Sequence, residues 1–329
     1  MGNNSNTLSL ALYGPSGEPV NFLYTTMSHG LATVPPFAIS NNGDELRTVI
    51  RLPGGSPREI KVSALSEINC KVHVSGHQLG HSDYLALRKT LKRVLALDDN
   101  LKPFYDSITN DPLLSWARSG AGRIVRSQTI FEDTIRTVCT TNCTFSATRR
   151  MVSGIVERLG DPVFPELDTP PHHRNQKTCS RFIKAFPTAD RLAESSPQFL
   201  QQELGVGYRA QHIFDIAYKV ASGDLDLEAL RPGIPAAISD IEAYTRLLAL
   251  PGIGPYAAAN TMLLMGRYSQ PILDSWSRPA YAKVIGKQKN DQAIKRGLAR
   301  FGPYAGLAFW LMITRNRLNP TPPLSLKPV

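Results

Sequence analysis

Hydrophobic and polar positions change their period along this chain. Leu46-Arg47-Thr48-Val49-Ile50-Arg51-Leu52 alternates and stops at Pro53-Gly54-Gly55, a turn signal. Glu59-Ile60-Lys61-Val62 and Cys70-Lys71-Val72-His73-Val74 read as further short strands, so the region up to about Arg93 predicts a small antiparallel sheet. From Ser127 onward the spacing is helical. Thr129-Ile130-Phe131-Glu132 is a capping box, followed by apolar residues through Ile135 and Val138. Met151, Val152, Ile155, Val156 and Leu159 form one helical face that ends at Gly160-Asp161-Pro162. Ser196-Pro197 opens another helix with proline at its first position, and Ser239-Asp240-Ile241-Glu242 is a second capping box. The proline-rich stretch from Gly160 to Asn175 predicts a long connection, and Asn319-Pro320-Thr321-Pro322-Pro323 a frayed end. No internal repeat is visible. The division predicts an α+β protein, with a β-rich part over residues 1–110 and a helical part over 111–329.

Composition narrows the partners. Thirty-seven Lys and Arg against 27 Asp and Glu give a net charge of +10, which suits a polyanion and equally a merely soluble basic protein. Met1 to Asn6 lacks an apolar signal core, and no apolar run is long enough to span a bilayer. Cys70, Cys139, Cys143 and Cys179 include no CxxC pair, so they predict buried, reduced thiols rather than a metal site. The expected setting is the cytoplasm and nucleoid of a prokaryote, or the nucleus of a eukaryote.

Two short stretches carry the chemistry. Leu250-Pro251-Gly252-Ile253-Gly254-Pro255-Tyr256-Ala257-Ala258 reads as a tight hairpin between two helices. The unpaired N–H groups and positive dipole end of the second helix can hold a phosphate without a cationic side chain. Gly252 and Gly254 leave room for its approach, and Pro255 needs no donor in the first turn. An ordinary corner between helices would use similar residues. Asp274 follows Gly254 by 20 residues. A carboxylate there suits the stabilisation of a positively charged sugar or the activation of water, and also the capping of a helix; the two roles are compatible.

In these stretches the chain resembles the helix-hairpin-helix DNA glycosylases, nearest to their 8-oxoguanine and 3-methyladenine branch. Gly205-Val206-Gly207-Tyr208-Arg209-Ala210, Thr140-Thr141-Asn142 and Gly302-Pro303-Tyr304-Ala305-Gly306 are similar to further motifs of that branch, and the likeness covers roughly residues 127–313. The resemblance implies a two-lobed helical core with the hairpin at about 245–262 and C-terminal helices packed back on 127–160. It implies double-stranded DNA with a damaged base as partner, a monomer, and base-excision repair as the process. Asp274 would be the catalytic residue. Gly252, Gly254, Tyr256 and Ala257 would hold the DNA backbone. Tyr208 and Asn142 would support the flipped state, and Arg209 would read the opposite base. Backbone carbonyls of Leu248, Leu250 and Ile253 would bind a monovalent K+ or Na+. No other cofactor is implied, and no cysteine follows Cys179 to build the iron–sulfur cluster of some relatives.

Departures from the branch carry the specificity expectation. The lysine nucleophile of bifunctional members is Tyr256 here, whose phenol cannot form an imine, so a monofunctional hydrolase without lyase activity is expected. The branch's base-reading glutamine is Phe309 and its stacking phenylalanine is Ile313. Tyr256, Trp276, Tyr304 and Phe309, with Asn260 offering one amide, would form an aromatic pocket suited to cationic, alkylated purines. An oxidised-purine glycosylase and a catalytically inactive DNA binder are the alternatives. Arg123, Arg126, Arg149, Arg150, Lys177, Arg181 and Lys184 are candidate phosphate contacts.

Overall fold

In the computed structural model, residues 6–54, 56–163, 183–234 and 237–318 are described. The predicted connection after Val163 lies mostly outside them, as do Lys177, Cys179, Arg181 and the 319–323 tail.

The three expected strands form the centre of a five-stranded antiparallel sheet. Its members are β1 (Thr7–Ala11), β2 (Ala38–Ile39), β3 (Glu45–Arg51), β4 (Pro57–Ser66) and β5 (Asn69–Val74), in the order β1-β5-β4-β3-β2. Leu46 pairs with Val62 and Val62 with Val72, so one face carries a row of branched apolar residues. That face packs on Leu87, Leu91 and Val94 of a helix, forming one apolar cluster. β1 alternates as plainly as β3 but was not among the predicted strands.

The helices are α1 (Phe22–Thr26), α2 (His81–Val94), α3 (Lys102–Ser107), α4 (Ile130–Val138) and α5 (Phe145–Leu159), then α6 (Ala189–Ala193), α7 (Pro197–Glu203) and α8 (Arg209–Ala221). They continue as α9 (Asp240–Leu248), α10 (Pro255–Met265), α11 (Ser277–Ile285), α12 (Asp291–Leu298) and α13 (Ala305–Leu318). The predicted caps are in place: Thr129, Ser196 and Ser239 accept the N–H groups of Glu132, Phe199 and Glu242 at 3.1 Å each. Such a cap contributes about 1 kcal/mol. All nine residues of α4 are buried, and α10 and α8 lie against it.

Buried arginines tie the N-terminal segment to this helical core. Arg136 on α4 donates to the carbonyls of Leu31 and Val34 and stacks on Phe37 at 4.9 Å. Arg123 donates to Glu18 at 2.9 Å and to Ala96 and Asp99 carbonyls. Arg126 pairs with Asp99 at 2.5 Å. Both were among the candidate phosphate contacts; both are instead interior struts. Breaking such a buried pair costs about 3–5 kcal/mol. Among the described residues, no helix is long and apolar enough to cross a membrane.

Candidate active site

The hairpin joins α9 to α10, and its two glycines differ. Gly252 has φ +75°, and a Cβ there would meet the His212 ring at 2.8 Å. Gly254 is extended, at φ −92° and ψ −177°, with open space beside it. No side chain caps α10. The N–H groups of Gly254, Tyr256 and Ala257 donate to nothing among the described residues, so the helix end is free for an anion.

Asp274 precedes α11 and caps it. Its Oδ1 accepts the N–H groups of Trp276 (2.9 Å) and Ser277 (2.6 Å), while its own N–H donates to Ser277 Oγ at 2.9 Å. One carboxylate oxygen is thereby fixed, and Oδ2 keeps no partner among the described residues. The side chain is partly exposed. The nearby Arg278 is bound to Asp291 by two contacts of 2.8 and 3.0 Å and makes no ion pair with Asp274, although it feels that charge. Burial pushes the Tyr256 phenol up; its hydrogen bond with Thr140 opposes this, and the charge of Asp274 adds to it.

The loop before α8 meets the turn after α4. Tyr208 is 57% exposed, and its hydroxyl accepts from Asn142 Nδ2 at 3.2 Å. Asn142 adopts the left-handed conformation, φ +46°. Tyr208 also sits edge-on to His212 at 6.3 Å, and His212 supports Gly252, so this loop and the hairpin share one face. Arg209 does not project from that face. Its guanidinium turns inward to the carbonyls of Thr141 and Val206 and lies 4.5 Å from the Tyr208 ring. In this structure it orients Tyr208 rather than presenting donors to a base.

No protein-family model matches the chain. It is 24% identical over 194 residues to the N-glycosylase/DNA lyase of Saccharomyces cerevisiae, covering 57% of this chain and 48% of the yeast protein. The chain thus spans about half the length of that curated relative. Among solved structures, the 3-methyladenine DNA glycosylase of Archaeoglobus fulgidus superposes with a TM-score of 0.71 at 21% identity, over 94% of this chain and 98% of that one. MBOgg1 in complex with a low-affinity DNA ligand gives 0.71 at 18%, over 96% and 97%. The 8-oxoguanine glycosylase/lyase of Clostridium acetobutylicum, bound to DNA with cytosine opposite 8-oxoguanine, gives 0.64 at 20%, over 89% and 93%. The fold is that of the helix-hairpin-helix DNA glycosylases.

Within this glycosylase fold the expected lesion pocket is rearranged. Phe309 is fully buried and packs on Tyr281 at 5.2 Å, inside the core. Asn260 is buried too, and its amide is spent: Oδ1 faces His29 Nε2 at 3.0 Å and Nδ2 donates to Thr137 at 3.1 Å. Tyr304 packs between Tyr268 and Phe104, at 6.4 and 5.4 Å. Trp276 remains 53% exposed, two residues after Asp274, and Ile313 is half-buried on α13.

Two residues at the site were not expected from the sequence. Trp310, one position past Phe309, lies 6.0 Å from Trp276 and 5.0 Å from His29. His29 comes from the N-terminal region. Its Nδ1 accepts the Leu31 N–H at 3.2 Å, so Nε2 carries the proton and donates to Asn260. Burial, with the charges of Arg317 and Arg136, drives its pKa down to about 3, against the hydrogen bond to Asn260. The imidazole is therefore neutral. A row of rings, Trp276–Trp310–His29, thus runs inward from the carboxylate to the polar contact between α10 and α4.

The remaining candidate cations divide. Arg149 and Arg150 are exposed on α5, near Asn142 in sequence, with Arg149 5.7 Å from the Phe145 ring. Lys184 donates to the carbonyl of Glu157 at 2.6 Å and serves the end of α5.

Proposed function

We propose that this protein is a base-excision DNA glycosylase that hydrolyses the N-glycosidic bond of a flipped, alkylated purine. The observation that carries the reading is Asp274: a carboxylate fixed by its helix cap, in no ion pair among the described residues, whose charge is felt by Tyr256 in the first turn of the hairpin helix. The hairpin grips a backbone phosphate through N–H groups. Tyr208 and Asn142 fill the space left by the extruded base, offsetting part of an unstacking cost of a few kcal/mol. As the bond breaks, electrons leave with the base and positive charge builds on the sugar. Asp274 stabilises that charge and orients the water whose oxygen bonds to C1′.

A cation–π contact with Trp276, backed by Trp310, favours a positively charged alkylated base. Asn260 is unavailable for reading an oxidised edge while it serves His29 and Thr137. Tyr256 supplies no amine, which supports hydrolysis without strand cleavage. Of the three carbonyls expected to bind a monovalent cation that would stiffen the turn, those of Leu248 and Ile253 accept no hydrogen bond among the described residues, while that of Leu250 accepts the Ile253 N–H at 3.2 Å.

Labelled duplexes containing 7-methylguanine, hypoxanthine, 8-oxoguanine or uracil test the reading. Release of 7-methylguanine, with strand breaks only after alkali, is expected. Breaks without alkali would overturn the monofunctional part. Preferential release of 8-oxoguanine would overturn the alkylated-base part.

A further inference from the structure

One motif singled out in the sequence has no place in the reaction described above. Within Gly302-Pro303-Tyr304, Tyr304 was expected in the base pocket, yet Pro303 and Tyr304 line a cleft of about 590 Å³. Met265 and Gly266, at the C-terminal end of α10, form another part of its wall. The hairpin is at the other end of that helix, roughly 16 Å away at 1.5 Å per residue. The volume falls within the roughly 300–1,000 Å³ usual for small-ligand sites.

The charges lining the cleft do not cancel. Arg126 is neutralised by Asp99 at 2.5 Å, Arg267 by Asp240 at 2.6 Å, and Arg231 by Glu228. Asp98 faces Lys92 at 3.9 Å. Lys89 and Arg93, one turn apart on α2, make no ion pair among the described residues, although the charges of Asp133 and Glu228 act on Arg93. The Lys89 ammonium has no partner among the described residues. Arg93 Nε donates to the Gln128 carbonyl at 3.0 Å, but its Nη2 is buried without a partner. At the end of α10, the carbonyls of Leu263 and Met262 are taken by the N–H groups of Gly266 and Arg267. Those carbonyls therefore do not face an incoming anion unpaired. Tyr304 and Tyr268 also line the cleft and are near-parallel, 25° between planes, with Tyr268 buried behind.

We propose that this cleft binds a nucleoside monophosphate, with Lys89 and Arg93 on the phosphate and the Tyr304 side supporting the ring. A bare phosphate would leave most of the volume empty, and an uncharged nucleoside would leave the two cations unpaired.

Titration calorimetry on the full chain tests this with 2′-deoxyguanosine 5′-monophosphate, deoxyguanosine and inorganic phosphate. The nucleotide should bind at least tenfold more tightly than either fragment. Lys89→Glu, at an exposed position, should weaken it at least tenfold, and Tyr304→Leu should weaken the nucleotide but not phosphate. A labelled undamaged duplex provides the second arm, because a DNA backbone phosphate has the same chemistry. Saturating nucleotide should leave duplex affinity unchanged. No nucleotide binding, equal binding by Lys89→Glu, equal affinity for phosphate alone, or displacement of the duplex would each overturn the proposal. No lesion enters the assay, so its failure leaves the glycosylase reading untouched.

Discussion

The His212 imidazole lies directly against Gly252, so close that a Cβ at residue 252 would come within 2.8 Å of the ring. His212 also meets Tyr208 edge-on, which couples the hairpin to the loop proposed to enter the DNA stack. Gly252→Ala therefore forces both a left-handed backbone onto alanine and a displacement of His212. It should lower stability by about 1–2 kcal/mol from the backbone alone, and weaken duplex binding. Gly254→Ala is the contrast, because its backbone is extended and its surroundings open. It should unfold like the parent protein yet bind duplex DNA more weakly, since the added methyl would enter the space proposed for the phosphate. Thermal melts and duplex titrations of the two variants separate the effects.

Tyr208 is expected to matter for extrusion and little for folding. At 57% exposure its truncation to alanine should change stability by no more than about 0.5 kcal/mol. Base release under single-turnover conditions should fall roughly tenfold to a hundredfold, the loss of one to three kcal/mol of support for the flipped state. Asn142→Ala should show a smaller loss in the same direction. A duplex carrying the lesion opposite an abasic position, which is already unstacked, should recover part of the rate for both.

His29 makes stability depend on pH. Its folded pKa of about 3 is below the ordinary value of 6.5, because burial disfavours the charged ring. The unfolded chain thus binds more protons between these values. The contribution is complete above pH 6.5 and is lost as pH falls toward 3, by up to about 1.4 kcal/mol per unit. Buried Glu132 acts in the opposite sense: burial pushes it up to about 7, so its contribution is present below its ordinary 4.5 and lost as pH rises toward 7. The decisive quantity is the difference between the parent protein and His29→Gln. The melting temperature of the variant should fall less steeply between pH 6.5 and 4.5; identical slopes would contradict the buried neutral imidazole.

What the sequence revealed was local. The hairpin, the capping boxes and the spacing to Asp274 depend on residues close in the chain, and the corresponding elements are present. Trp310 was missed because α13 is apolar on nearly every side, so no periodicity says which of Phe309 or Trp310 turns toward Asp274. One residue along a helix is a rotation of 100°. His29 was missed because its partner Asn260 is 231 positions away. Arg123 and Arg126 read as candidate phosphate contacts, and Arg209 as a reader of the opposite base, because charge says nothing of burial; each is satisfied by carbonyls or a carboxylate that only the tertiary fold brings near.

Asp274→Asn tests the central claim most directly. Asparagine retains an oxygen to accept the Trp276 and Ser277 N–H groups, so the α11 cap and the fold persist while the charge is lost. Single-turnover release of 7-methylguanine should fall by roughly a hundredfold to a thousandfold, with duplex affinity and melting temperature unchanged. Release at the parent rate by a folded, DNA-binding Asp274→Asn protein would contradict the account.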